Sequence, residues 1–425
     1  MQQPSVGTLP VVSRWQGRAI GLMDLDAFFA SVEQLDHPEW RNLPVIVGGS
    51  ADRRGVVATA SYEARRFGVH SAMPSAIAEH LCPNAIWTRG DFARYREVSN
   101  QVMSILVDET PLVEQVSIDE AFFDITPGRF SCENPLEICR RIQKRVAQLG
   151  ITCSIGLASN KTVAKIASER DKPRGLTVVP PGAEALFLAP LPVREMSGIG
   201  KAAESALSAI DVHTLGELAA CDPSKMRQLF GVLGPRMVMR AAGRESSAVR
   251  PRAQTEEIKS ISHERTFAND LTNAKDIRAA IEYVAALTGT RLRAKGLQGT
   301  EVTLKLKFDA AHVKTACSRL EAPTDDERAF GRVALSLLGE IWQPGLPIRL
   351  VGVAISRFGD ACSRQMSLFE EDRTDHRNPR RDLRSLALAT DEVKRRFGEQ
   401  SIAYGHDLRL QQTLSNTTPK NKRDF

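Results

Sequence analysis

The chain lacks the features that would put it in a membrane or outside the cell. It has seven cysteines, Cys82, Cys132, Cys139, Cys153, Cys221, Cys317 and Cys362, and no two form a C-x-x-C pair. An odd, scattered set suits reduced thiols, not disulfides or a zinc site. No stretch approaches the roughly 18 consecutive apolar residues of a membrane span. The start, MQQPSVGTLPVVSRWQGR, has no basic head followed by an apolar region, so no secretory signal is expected. The expected compartment is the cytoplasm, with no membrane partner. Low-complexity and repeated segments are also missing, which excludes collagen-like, mucin-like and wholly disordered readings.

What remains is an ordinary globular composition over 425 residues, 42% hydrophobic and 25% charged. At roughly 150 residues per domain, about three domains are expected. Lys and Arg number 57 against 51 Asp and Glu, a net charge of +6 that permits a nucleic-acid partner.

Residues 19–28 read as a buried strand running into a turn, with the apolar run Ile20 to Met23 meeting Asp24 and Asp26. Further strands are expected at 44–47, 55–58, 113–118, 121–125 and 151–157, with helices at 94–106 and 136–149. This mixture without regular βαβ alternation predicts an α+β domain over 19–180. Residues 181–250 read as helical, 251–255 (PRAQT) as a linker, and 256–360 as mixed again. There, strands are expected at 300–308 and 349–357, and helices at 274–295 and 325–341. The rest is polar, with a short helix at 382–397 whose apolar positions are Leu383, Leu386 and Phe397.

The strongest chemical signal is acidic. Asp24 closes one apolar strand, and Asp119 with Glu120 opens another. Carboxylates at the ends of apolar strands are costly unless a cation joins them. Mg²⁺ suits such acids, because it binds through one or two carboxylates plus substrate phosphates. A pair of ions about 4 Å apart can activate a hydroxyl and stabilise a leaving pyrophosphate.

The segments DLDAFFASVE, VVATASYEARRFGVHSAMP, YREVSNQVM, VEQVSIDEAFFDIT and CSIGLASNKTVAKIASERDKPRG occur in this order. Together they closely resemble the Y-family translesion DNA polymerases, and within them the bacterial DNA polymerase IV (DinB) branch, over residues 18–370. The resemblance implies a right-hand fold. An extension would cover 1–18, and a palm 19–180 with fingers inserted at about 31–90. A helical thumb would cover 181–250, a linker 251–255, an α/β little finger 256–360 and a tail 361–425.

By the same resemblance, Asp24 and Asp119 would bind two Mg²⁺ ions, with Glu120 completing the site and the Leu25 carbonyl as a further ligand. Asp26 is expected to turn to the other side and be structural. Phe29 would exclude a 2′-hydroxyl, with Phe28 pointing elsewhere. Tyr62 and Arg65, three apart on one helical face, and Lys172 would hold the triphosphate of a dNTP. Lys161 and Lys165 carry no assigned role.

Residues 191–207 read as helix, hairpin and helix, a clasp for the backbone of primer–template DNA through Gly198 and Gly200. Residues 250–319 are basic, and Lys305 and Lys307 share one strand face suited to phosphates. In the tail, Gln365-Met366-Ser367-Leu368-Phe369 resembles the peptide by which bacterial polymerases bind the sliding clamp. Gln365 would anchor it, and Leu368 and Phe369 would plug an apolar groove.

The expected protein is a monomeric, template-directed, error-prone DNA polymerase (a nucleotidyltransferase) without proofreading. Two rivals stay open: a UmuC-like catalytic subunit of an SOS mutagenesis complex, and a catalytically silent DNA-binding scaffold of the same fold.

Overall fold

A computed structural model describes residues 15–251, 258–358, 379–398, 401–405 and 408–410. The chain divides into two compact units, Met1–Ala51 with Gly55–Thr255, and Asp52–Arg54 with Glu256–Phe425. Among the described residues, no helix is long and apolar enough to cross a membrane.

The first unit is built on β1 (Ile20–Leu25), and α1 (Phe28–Asp36) follows it directly. A small sheet of β2 (Val45–Gly48), β3 (Val57–Ala60) and β4 (Ile86–Thr88) comes next, in the order β3-β2-β4. It carries the short helices α2 (Tyr62–Arg65) and α3 (Ser75–Leu81). The chain then runs through α4 (Phe92–Glu109), β5 (Val113–Gln115), β6 (Glu120–Asp124), α5 (Pro135–Gln148), β7 (Cys153–Ala158), α6 (Lys161–Ser168) and β8 (Leu176–Val178).

The main sheet has the order β5-β6-β1-β7-β8, so β1 lies at its centre with antiparallel partners on both sides. All six residues of β1 are buried, as a strand covered on both faces requires. Its alternation is decisive. Met23 and Leu25 pack into a core that also holds Val98, Val102 and Ile105 of α4 and Ile138, Ile142 and Val146 of α5. Leu22 points the other way, into a core that includes Val163, Ala164, Ile166 and Ala167 of α6. Asp24 shares the face of Leu22 and therefore looks toward α6. Gly156 in β7 lets α6 lie close to the sheet, because a Cβ there would run into the backbone at Ala164 and Ser168.

Helices α7 (Glu184–Leu188), α8 (Lys201–Ser208), α9 (Leu215–Ala220), α10 (Pro223–Phe230) and α11 (Leu233–Ala241) complete the unit. The helix expected from Leu191 is only a three-residue turn, Val193–Glu195. Pro190 and Pro192 explain it, since each removes a backbone donor and disfavours helix in the residue before it.

The second unit is a four-stranded antiparallel sheet, β11-β10-β12-β9, covered by two helices. Its elements are β9 (Ser260–Leu271), α12 (Ala274–Lys295), β10 (Gly299–Lys307), β11 (Val313–Thr324), α13 (Glu327–Ile341) and β12 (Ile348–Phe358). In β10, Val302, Leu304 and Leu306 are buried against the helices, so Thr303, Lys305 and Lys307 line the opposite face. Strands β9 and β11 escaped the sequence reading because they are polar along most of their length.

The last helix, α14 (Pro379–Phe397), packs on α12. Its buried positions are Ala387 and Thr390, whereas Leu386 and Phe397 are exposed, which corrects the expected apolar face. Asp391 of α14 pairs with Arg293, which also pairs with Glu327, and Arg384 pairs with the buried Asp325. The clamp-like residues Gln365, Leu368 and Phe369, with Cys362, most of the linker and the side chain of Leu383, lie outside the described residues.

Candidate active site

Strand register brings the first two acids together. Asp24 on β1 is the direct cross-strand partner of Glu120 on β6. The third carboxylate is Glu169, the C-cap of α6. Oxygens of Asp24, Glu120 and Glu169 all lie within 4.8 Å of one another. Asp119 stands just before β6, and its backbone oxygen accepts from the N–H of Leu25 at 3.0 Å. Its carboxylate accepts from Ser117 Oγ at 2.5 Å and is not one of that close group.

Two lysines neutralise the acids. Lys165 Nζ lies 2.5 Å from Glu120 Oε1, 3.2 Å from Glu169 Oε1 and 3.3 Å from Asp24 Oδ2. Lys172 Nζ lies 2.8 Å from Asp24 Oδ1 and 3.0 Å from Glu169 Oε1. Burial alone would raise the pKa of Asp24, but Lys172 and then Lys165 outweigh it and hold the carboxyl below its usual value. Burial raises Glu120, with the negative charge of Asp24 adding to the rise against the pull of Lys165. Burial would lower Lys165, yet Glu120 and Asp24 dominate and keep it firmly protonated. Clustered hard oxygens fit a divalent cation such as Mg²⁺, which takes carboxylates readily. Here the lysines supply the positive charge the acids need.

Asp26 is structural, but not because it alternates away, since residues two apart on a strand share a face. The strand ends at Leu25, and Asp26 turns into its own shell of donors. It accepts from Thr152 Oγ1 and Ser154 Oγ, both at 2.7 Å, and from the N–H of Arg174 at 2.9 Å. Tyr62 Oη donates to it at 3.5 Å. Asp26 thus ties the Lys172–Arg174 turn to α2. On that helix the Arg65 guanidinium lies 5.0 Å from the centre of the Tyr62 ring, so the two share one face as the spacing predicts. Arg65 Nε donates to the Ala60 carbonyl at 2.9 Å.

Phe29 sits on the first turn of α1, after Ala27 turns the chain with φ +45°. Its ring stacks on Tyr95, with centroids 4.4 Å apart and 10° between planes, and Phe92 meets it edge-on at 5.4 Å. Tyr95 is fixed in turn by donating to Glu33 at 2.5 Å. Phe28 is buried in the core.

Gly198 has φ +100°, a conformation that favours glycine, and Gly200 caps α8 with open space around it. Lys305 is not a free cation, because Glu264 holds it through both oxygens at 2.9 Å. Lys307 shares its face.

Sequence reasoning missed Glu169 and the placement of Lys165. Helical spacing signals the Lys165–Glu169 pair, since residues four apart on a helix meet on one side, but not the meeting of either with Asp24. It also missed the clasp on the start of α6. There Glu245 accepts from the Thr162 N–H at 2.8 Å and from Thr162 Oγ1 at 2.6 Å, and Arg240 Nε donates to Thr162 Oγ1 at 2.8 Å.

Comparison with known proteins agrees with this geometry. Residues 23–169 match the impB/mucB/samB family, and residues 258–368 match that family's C-terminal domain. DNA polymerase IV of Dehalococcoides mccartyi (strain BAV1) is 40% identical over 395 residues, covering 92% of this chain and 98% of the relative. DNA polymerase IV of Alkalilimnicola ehrlichii is 39% identical over 358 residues, covering 83% and 99%. Among solved structures, a Y-family DNA polymerase chimera of Dbh and Dpo4 has a TM-score of 0.70 at 25% identity, covering 80% of this chain and 99% of that one. An insertion ternary complex of Dbh DNA polymerase matches with a TM-score of 0.53 over the same coverage, also at 25% identity.

The chain belongs to the impB/mucB/samB family of Y-family DNA polymerases, with their mixed α+β fold. Within that family it is most like the bacterial DNA polymerase IV branch.

Proposed function

We propose that this chain carries out translesion DNA synthesis as a template-directed DNA polymerase, without proofreading. One observation carries the reading: Asp24 and Glu120 meet across β1 and β6 in a chain 40% identical to a DNA polymerase IV over 92% of its length. The primer 3′-hydroxyl attacks the α-phosphate of a dNTP, and pyrophosphate leaves. Asp24, Asp119, Glu120 and the Leu25 carbonyl would hold two Mg²⁺ ions, which supply activation of the hydroxyl and neutralisation of the leaving group.

The chain's own side chains orient the rest. Tyr62 and Arg65 grip phosphate oxygens from one helix face, and Lys172 adds a third contact. The Phe29 ring, backed by Tyr95, leaves no room for a 2′-hydroxyl. Backbone N–H groups around Gly198 and Gly200 receive a DNA phosphate, and Lys305 and Lys307 track another stretch of backbone once Glu264 gives way.

The parts of the hand take the boundaries given above: palm 19–180 with fingers at about 31–90, thumb 181–250, linker 251–255 and little finger 256–360. Gln365, Leu368 and Phe369 bind the sliding clamp, and the protein works as a monomer in the cytoplasm. Replacing those three by Ala should remove clamp stimulation and leave distributive extension intact.

Primer extension by the purified chain, on undamaged and lesion-containing templates, tests the reading. Extension by the chain alone supports it. A need for an accessory protein would favour the UmuC-like subunit, and template binding without extension would favour the silent scaffold.

A further inference from the structure

Lys165 stands among three carboxylates, and only Asp24 and Glu120 belong to strands of the sheet. The third, Glu169, follows it by four residues on α6. A fixed ammonium beside Asp24 and Glu120 competes with any metal for the same oxygens. Its side chain is only 25% exposed, so it cannot simply retreat into water. An ammonium pushed off its partners into such a place would lose more than it gains, unless another carboxylate receives it. Glu169 is that receiver. It already touches Lys165, its side chain is 42% exposed, and it also holds Lys172 at 3.0 Å.

We propose that Lys165 is a built-in counter-ion of the acid pair, and that Glu169 is the positioning residue that draws it off Asp24 and Glu120 when a divalent cation binds. The inference rests on the reading of Asp24 and Glu120 as metal ligands. It gives Glu169 a role through Lys165, distinct from direct ligation.

The test is binding of Mn²⁺ alone to the full chain, without DNA or nucleotide, followed by the electron paramagnetic resonance of the free ion. Glu169→Gln should weaken Mn²⁺ binding by about fivefold, the size expected of a coupled charged contact. Lys165→Met should tighten it, because a competitor is gone. In the Lys165→Met background, Glu169→Gln should have a much smaller effect, because only its contact with Lys172 is left to lose. In the Lys165→Arg background, which keeps the charge, the effect should return, and this pair decides the matter if the methionine variant folds poorly. Primer extension by Glu169→Gln should recover as Mg²⁺ is raised to saturation. An equal loss of Mn²⁺ affinity with and without the lysine would overturn the proposal, because Glu169 would then act as a ligand itself or through Lys172 and not through Lys165. So would unchanged Mn²⁺ binding in Glu169→Gln. Asp24→Asn separates the two levels. If it abolishes Mn²⁺ binding while Glu169→Gln does nothing, only this proposal falls. If it leaves binding intact, the metal reading of the acid pair falls as well.

Discussion

Lys172 Nζ lies 2.8 Å from Asp24 Oδ1, so a lysine assigned to the triphosphate is paired with an acid assigned to the metal. Both assignments can hold only if the arriving nucleotide exchanges one anionic partner of Lys172 for another. Glu169, 3.0 Å away, keeps the ammonium within reach during that exchange. Replacing Lys172 by Met should then raise the KM for dNTP by about tenfold, the worth of one hydrogen bond to a charged group. Steady-state extension over a dNTP series measures it, and an unchanged KM would remove Lys172 from the phosphate grip.

The stack of Phe29 on Tyr95 fixes the ring from behind, so its size should set sugar choice. Phe29→Ala should raise ribonucleotide incorporation relative to dNTP by at least about tenfold, or roughly 1.4 kcal/mol of lost discrimination. Phe29→Tyr should not. Competition between rNTP and dNTP at one template position reads the ratio. An unchanged ratio in the alanine variant would move the gate to another residue.

Strands β1, β5, β6 and β7 of the first unit were legible because their signals are local, whereas the three-residue strands β4 and β8 were not. Apolar runs, one ending at Asp24 and one beginning after Asp119-Glu120, marked two strands, and the periodicity of Val98, Val102 and Ile105 marked α4. The lysine network was not legible, because it depends on how α6 lies across β1 and β7. Nothing in the local pattern tells which face of α6 meets Asp24. The same limit hid β9 and β11, whose pairing rests on neighbours far along the chain and not on their own hydrophobicity. The expected helix after Leu191 failed for a readable reason, the prolines at 190 and 192.

Gly156 is the point where α6 rests on the sheet, and Lys165 rides on that helix. Gly156→Ala would press a methyl group into the backbone at Ala164 and Ser168, neither of which can rotate away. The cost should be about 1–3 kcal/mol of stability, the range for overpacking a filled core. Chemical denaturation would report it. A variant as stable as the parent would mean that α6 can lift without loss.

Glu245 clasps the N-terminal end of the same helix. Burial alone would raise its pKa, but hydrogen bonds from Thr162 and Ser247 and the charge of Arg240 outweigh burial and lower it. A carboxylate with a lowered folded pKa stabilises the fold above its ordinary value of 4.5 and loses that contribution as pH falls through the folded value. Glu245→Gln should therefore be less stable than the parent near neutral pH, and the gap should close as pH falls below 4.5 and through the lowered folded value. Unfolding curves across pH test the sign. A gap that stays constant into acid would mean that Thr162 is held by shape and not by charge.

Removing an acid of the centre should separate chemistry from binding. Asp24→Ala and Asp119→Ala should each abolish primer extension and leave primer–template affinity largely intact. The reason is that DNA affinity is spread over many phosphate contacts, whereas a lost carboxylate removes a metal ligand directly. The two variants differ in what they leave behind. Asp24→Ala strips Lys172 and Lys165 of a partner inside a buried site, so it should also lower stability. Among the described residues, the Asp119 side chain accepts only from Ser117, so its variant should fold as the parent does and fail in chemistry alone. Near-native extension by Asp119→Ala in Mg²⁺ would take it out of the centre and leave Asp24 and Glu120, paired across β1 and β6, as its acids.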